Sequence, residues 1–349
     1  MFLQHTTLRT WMLGFTLLFG LWACDPNSSD PDPVPTLTQG VFITNEGGFM
    51  KNNASLSYYD LTTEQVSQDV YQAANGSNLG DILQSMTLFN DRAYLVVNNS
   101  GKVEVAAAES LDSLGTITGL TSPRYLAAVS DTKAYCTDLF AGWVWVLNLA
   151  TLQKVDSIAA PGQSEGLIVL DDEAFVTRPG AEYVYVINTT TDAVVDSVNV
   201  GEGANSVQRD ANGKLWVACG FYYDNYTKKD GRLVRFDPAT RQVEQRFDVP
   251  DGYLSSLQRN GAGDTLYYMN GGDVFRTPIV ATALTTEPLI AAGNRTIYGL
   301  GVDPTRGEIY VSDAADYVQR GTVYRYDAQG NQLDSFQAGI IPGSFVFRE

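Results

Sequence analysis

Aromatic rings recur in the turn-like segments of this chain, at Phe49, Phe140, Trp143, Tyr222, Tyr223, Tyr253, Tyr298 and Tyr317. Amides share those segments at Asn53, Asn75 and Asn99, and Arg124 and Arg178 add guanidinium donors, with Arg295 a third of the kind. Flat rings, amides and a few cations perform recognition rather than bond-making. Together they suit a ligand that is broad, partly apolar and edged with neutral hydrogen-bonding groups. The long insert "CGFYYDNYTKKDGR" (219–232) and the glycine-bearing "GGFMKNN" (47–53) carry several of the rings on loops, where binding groups concentrate.

One absence removes most catalytic chemistry. The only histidine is His5, in an apolar leader, so no Ser-His-Asp or Cys-His triad, imidazole acid–base pair or histidine-ligated metal can form in the rest of the chain. No catalytic residue and no metal ligand is expected, and the protein reads as a binder, not an enzyme. "DANGK" (210–214) opens like a calcium loop but lacks an acid at its fifth position and a downstream glutamate, so it reads as a turn. Asp313 and Asp316 of "DAADY" read as loop caps, and "GEGAN" (201–205) lacks the spacing of a dinucleotide fingerprint. With 40 acidic residues against 23 basic ones, a net charge of −17, the surface repels phosphate backbones, and no nucleic acid partner is expected.

The elements that must position these loops are short strands. "AYCTDLFAGWVWVLNLATLQKVDSI" (134–158) alternates apolar and polar residues, breaks at a glycine turn, alternates again, breaks, and alternates once more. Its opening strand has seven counterparts, counting itself, that begin at Val41, Ala93, Ala134, Ala174, Leu215, Leu266 and Ile309. A spacing of about 40–50 residues with four strand signals per unit is the signature of a propeller blade. "GSFVF" (343–347) matches a first strand with nothing after it, while "VFITN" (41–45) matches a second strand with no first. The expected fold is therefore all-β, a seven-bladed β-propeller over 39–349 whose N- and C-terminal strands close one blade. Cys136 and Cys219 fall mid-strand in different units and are expected to be buried free thiols.

Residues 1–23 read as a signal peptide, with Arg9 ahead of the apolar run Trp11–Ala23. Leu21-Trp22-Ala23-Cys24 resembles a lipobox, which implies lipidation of Cys24. Residues 24–38 are rich in Asp, Ser and Pro and read as a solvated tether. An acidic stretch directly after the cysteine resembles the export signal of Bacteroidetes surface lipoproteins.

The propeller segment is similar to the YncE-like seven-bladed propellers among those lipoproteins, and within them to the group that captures cobalamin and related corrinoids. The resemblance spans nearly all of the mature chain. It is carried by "NNASLSYYD" (52–60), "QSMTLFNDRAYLVVNNSGKVEV" (84–105), "LTSPRYLAAVSDTKAYCTDL" (120–139), "NGKLWV" (212–217), "YGLGVDP" (298–304) and "ADYVQRGTVYRYDAQGNQLDSFQAGIIPGSFVF" (315–347). It implies an outer-membrane, lipid-anchored protein, facing the cell surface, that holds a corrinoid on its loop face and delivers it to a TonB-dependent transporter. The corrinoid would be cargo, and no cofactor of the protein's own is implied. "PGQSEGLIV" (161–169) departs from the family's pattern, which leaves contacts from the fourth unit open. Two other classes remain at this level: a surface interaction or adhesion scaffold without a small ligand, and a metal-dependent propeller lactonase or hydrolase.

Overall fold

The computed structural model describes residues 37–220, 223–224, 227–228 and 230–348. Seven sheets follow one another along the chain, each antiparallel and each a blade. Blade one joins both ends of the chain: Pro342–Arg348 is its innermost strand, followed by Gly40–Asn45, Ser55–Asp60 and Gln65–Ser67. The innermost strands of blades two to seven are Leu83–Phe89, Pro123–Ser130, Leu167–Leu170, Ala204–Arg209, Leu254–Arg259 and Ile297–Val302. Each of these meets the innermost strand of the next blade, and the circuit closes where Ile297–Val302 packs against Pro342–Arg348. All seven expected second strands stand where the repeat puts them, and the fold is the predicted seven-bladed propeller.

Burial peaks at the second strand of each blade, since the innermost strands line the channel and are only half-buried. Second strands such as Gly40–Asn45 and Lys133–Asp138 are buried along nearly their whole length, because both faces of a blade are covered by neighbouring blades. Outer strands such as Gln153–Ala159 and Ala193–Asn199 are mostly exposed. The core is consequently a ring of clusters between blades, for example Phe175, Val186, Val217 and Phe236 between blades four and five. Cys136 and Cys219 are free and buried in that ring. Burial pushes the Cys219 thiol up to about 12, so at neutral pH it is a protonated, inert core group.

Blade six departs from the four-strand expectation. Its sheet ends at the third strand, Asp273–Pro278, and the fourth place holds a single bridge between Val274 and Ile290. The sequence supplies a reason: Pro278 and Pro288 lack the N–H that a ladder needs. A second departure is the helix Val70–Asn75, which overlaps the expected loop at 73–81 between blades one and two. Inside the insert of blade five, Tyr223–Asp224 pairs with Thr227–Lys228 as a short hairpin.

Candidate functional site

The channel mouth is built by one irregularity repeated around the ring. Near its start each innermost strand slips in register against the second strand, at Leu83/Ser85, Pro123/Leu126, Ala204/Ser206, Ser255/Gln258 and Ile297/Gly299. Blade one shows the slip opposite Ile43 and Asn45. In blade four Thr177 accepts from the Glu165 N–H and donates to the Gly166 carbonyl, so two residues face one. A bulge of this kind re-aims a side chain. Gln84, Arg124, Glu165, Asn205, Ser255 and Tyr298 occupy the equivalent place in blades two to seven, and all six line the mouth.

Hydroxyls on the second strands absorb the backbone donors that the bulges free. The N–H of Tyr125 donates to Thr137 Oγ1 (3.1 Å), that of Gly299 to Ser312 Oγ (2.8 Å) and that of Ser344 to Thr44 Oγ1 (3.0 Å). The same wall is stitched from blade to blade. Ser85 Oγ donates to the Arg124 carbonyl (2.6 Å), Thr137 Oγ1 to that of Glu165 (2.7 Å), Asn205 Nδ2 to that of Leu254 (2.8 Å) and Ser312 Oγ to that of Pro342 (2.6 Å). Side chains fixed in this way present a preorganised surface, which lowers the ordering cost of binding.

Charged groups gather on one arc of the wall. Arg124 grips Glu165 with two arms, Nε to Oε2 at 2.7 Å and a second contact to Oε1, and its third nitrogen donates to Gln84 Oε1. Tyr298 donates its phenol hydrogen to Glu46 Oε2 at 2.9 Å. Burial opposes the charge on Arg124, but the hydrogen bond and charge of Glu165 outweigh it and hold the guanidinium protonated. Burial pushes the Tyr125 phenol up to about 12. Burial also raises the Glu46 carboxyl above its ordinary 4.5, against the Tyr298 hydrogen bond and the Arg124 charge, with Glu165 adding repulsion.

The Glu46 shift sets a pH dependence. A folded carboxyl that holds its proton more tightly than the unfolded one stabilises the fold fully below about pH 4.5, and this contribution is lost as pH rises through the raised folded value. Glu46→Gln keeps an acceptor for Tyr298 and cannot ionise. The variant is expected to lose less stability than wild type between pH 4.5 and 8, read from urea melts across that range. Parallel curves for the two proteins would show that Glu46 ionises freely.

The mouth is a cavity of about 880 Å³ to which all seven blades contribute. Of the residues expected from sequence, Phe49, Arg124, Tyr253, Tyr298 and Tyr317 line it, with Arg295. Phe49 and Tyr317 are exposed at its rim, and the Tyr317 ring meets Tyr298 edge-on at 6.1 Å. Other expected residues stand elsewhere. Asn53 accepts the Gly48 N–H (2.9 Å) and shapes the loop that carries Phe49. Asn75 donates to the carbonyls of Tyr71 and Leu111 and accepts the Ser113 N–H, tying the helix to blade two. Asn99 donates to Asp81 (2.6 Å). The Arg178 guanidinium lies over the Tyr185 ring and donates to the Pro161 carbonyl. Phe140 and Trp143 are exposed on blade three, outside the cavity lining. Tyr223 sits in the short hairpin of the insert, while Tyr222 and Cys24 lie outside the described residues.

Sequence reasoning missed Glu46, Gln84, Tyr125, Glu165, Asn205 and Ser255, which line the mouth. It also left blade four open, where Glu165, Gly166 and Leu167 reach the cavity. Laying the innermost strands under one another would have found these residues, because the bulge position recurs once per blade. Among the described residues no cluster of three or more His, Cys, Asp or Glu is placed to hold a metal ion, and no helix is long and apolar enough to cross a membrane.

Solved propellers resemble this chain in fold. A quinonprotein alcohol dehydrogenase-like protein from Bacteroides thetaiotaomicron matches with a TM-score of 0.70 at 14% identity, over 90% of this chain and 79% of that one. A functionally unknown protein from Desulfotomaculum acetoxidans matches at 0.66 and 11% identity, over 89% and 99%. A protein provisionally assigned as a 6-phosphogluconolactonase, from Bacteroides fragilis, matches at 0.65 and 13% identity, over 91% and 100%. Identities this low speak for the architecture alone. No curated protein sequence matches the chain significantly. The family model described as a domain of unknown function, DUF5074, matches residues 39–348, the whole ring, and the chain belongs to that family.

Proposed function

We propose that this propeller is a surface lipoprotein of the outer membrane that holds cobalamin or a related corrinoid in its channel mouth. It passes the cargo to a TonB-dependent transporter and performs no chemistry on it. The observation that carries the reading is the mouth itself. A cavity of about 880 Å³ is edged by Phe49, Tyr253 and Tyr317 and walled by amides and hydroxyls. That volume lies toward the upper end of small-molecule sites, roughly 300–1,000 Å³. A corrin is a broad disc with apolar faces and an amide fringe, and rings on the rim with amides on the wall match both features. The mature chain has no histidine, so the protein donates no imidazole to cobalt and grips the ring edge and its side chains instead. Cys24 would carry the lipid, and the segment after it would tether the propeller only as far as Leu37, which the expected 24–38 bound included but which is buried in the core.

Titration calorimetry with cyanocobalamin, and with cobinamide, which lacks the lower nucleotide, tests this. Uptake of one corrinoid per chain, with pink colour retained through gel filtration, is the expected result. No heat from either corrinoid and a colourless protein would overturn the reading.

A further inference from the structure

Blade six differs from the other blades at the mouth in three ways. The first is its polar groups. In blades two, three, four and seven the bulge side chains are already engaged, Gln84 and Glu165 by Arg124 and Tyr298 by Glu46. In blade five Asn205 Oδ1 accepts from Ser206 and its amide donates to Leu254. Ser255, Ser256 and Gln258 of blade six are half-buried and line the same cavity, and among the described residues their hydroxyls and carboxamide have no hydrogen-bond partner.

The second difference is a left-handed residue inside the bulge itself, where Ile82 and Tyr317, the other such residues of the lining, lie outside theirs. Ser256 has φ of 53°, a left-handed conformation that is costly for a residue with a Cβ. Met269 stands where Thr44, Thr137 and Ser312 offer a hydroxyl to the bulge in blades one, three and seven.

The third is height. The second and third strands of blade six join through Gly271 and Gly272 alone, with φ of 63° and 96°. A Cβ at Gly271 would meet nothing within 4 Å, so the space above this turn is open. Both glycines line the cavity, whereas other blades carry longer loops at this level. Blade six is the low wall of the mouth; its own strands bring no charged side chain to the lining, and Arg295, on the connection to blade seven, supplies a cation beside it.

We infer that blade six is the subsite that determines specificity: a neutral arm of the ligand, bearing amide or hydroxyl groups, leaves the channel over Gly271–Gly272. Ser255, Ser256 and Gln258 supply its hydrogen bonds. Groups left unpaired on a half-buried wall discriminate well, because a ligand lacking the matching donor or acceptor leaves them desolvated without a partner. This inference rests on the corrinoid reading above and adds which side of the ring is read.

Three variants of the full protein, titrated with cyanocobalamin, test it. Ser255→Ala with Gln258→Leu is expected to weaken binding about tenfold, the loss of two neutral hydrogen bonds. Ser256→Gly removes a hydroxyl and relieves the positive φ, so it should weaken binding about threefold while holding or raising the urea midpoint. Gly271→Asn suits the left-handed φ and raises the wall, and should also weaken binding. Variant affinities within twofold of wild type would overturn the inference and leave the corrinoid reading standing. A wild-type protein that takes up no corrinoid overturns both.

Discussion

An Arg124→Met protein is expected to be about 3–5 kcal/mol less stable than wild type at neutral pH. Adding Glu165→Leu is expected to restore most of that loss. The Arg124 and Glu165 side chains are only 19% and 11% exposed, and the contact is two-armed. Methionine keeps the length of the arginine stem, so packing changes little and the effect isolates the charge. Without the guanidinium, the Glu165 carboxylate stays on a wall where burial already disfavours the ionised form of nearby Glu46. Gln84 also loses its donor. A buried charge stripped of its partner costs far more than the pair contributes, whereas removing both charges is close to neutral. Urea melts of the single and double variants at pH 7 read both effects. A loss below about 1 kcal/mol would place the pair with ordinary surface bridges. A double variant no better than the single would mean that Arg124 acts through packing.

The ring was legible in the sequence because period-two alternation and a punctual second strand survive in every blade. "AYLV", "AYCT" and "AFVT" share a register, and a one-residue slip would turn the core face outward, so each copy announces itself. Blade six was misread at its edge because a count of repeats assigns four strands wherever three are evident. The prolines that break the fourth were visible but carry no weight in such a count. The site was less legible for a different reason. Asparagine serves equally to hold a turn and to meet a ligand, and Asn53, Asn75 and Asn99 turn out to hold loops. Glu46, Gln84 and Glu165 each look like an isolated loop residue in sequence. Packing of blades two, three and four side by side joins Gln84 and Glu165 through Arg124, and the meeting of blades one and seven brings Glu46 to Tyr298. Aromatics were a mixed guide: Phe49, Tyr253 and Tyr317 reach the mouth, whereas Phe140 and Trp143 are exposed on blade three outside it.

Truncation after Ile341 is expected to abolish folding, although it removes only one strand at the end of the chain. Pro342–Arg348 is the innermost strand of blade one, paired residue for residue with Gly40–Ile43. Phe345 and Phe347 pack on Tyr310 of blade seven, at 5.8 and 5.4 Å between ring centres. Pro342 accepts the Ser312 hydroxyl and Ser344 bonds Thr44, so the strand also carries the channel wall across the closure. Phe345 and Phe347 are half-buried, and their loss comes together with every ladder bond of the strand to Gly40–Ile43, against a stability of only about 5–15 kcal/mol for most domains. It also opens the edge of Gly40–Asn45 to pairing with other chains. Outside this strand, blades seven and one still meet through Tyr298 on Glu46, Arg325 on the Tyr59 hydroxyl, Arg320 on Gln68 and Asp69, and the stacked Tyr59 and Phe336 rings, but none of these contacts replaces the ladder along Gly40–Ile43. A circular permutant separates the strand's role from its position at the terminus. Gly40 and Arg348 are register partners, so a short glycine-serine linker can join them, and new ends can be placed at the exposed Asn212–Gly213 turn. The permutant keeps every blade-one contact and should fold as a soluble monomer with a cooperative melt, while the truncated chain should aggregate. A soluble, cooperatively melting truncation would show that the other six blades close without the strand. An aggregated permutant would instead place the requirement in the order of the chain, with blade one needing free ends to zip last.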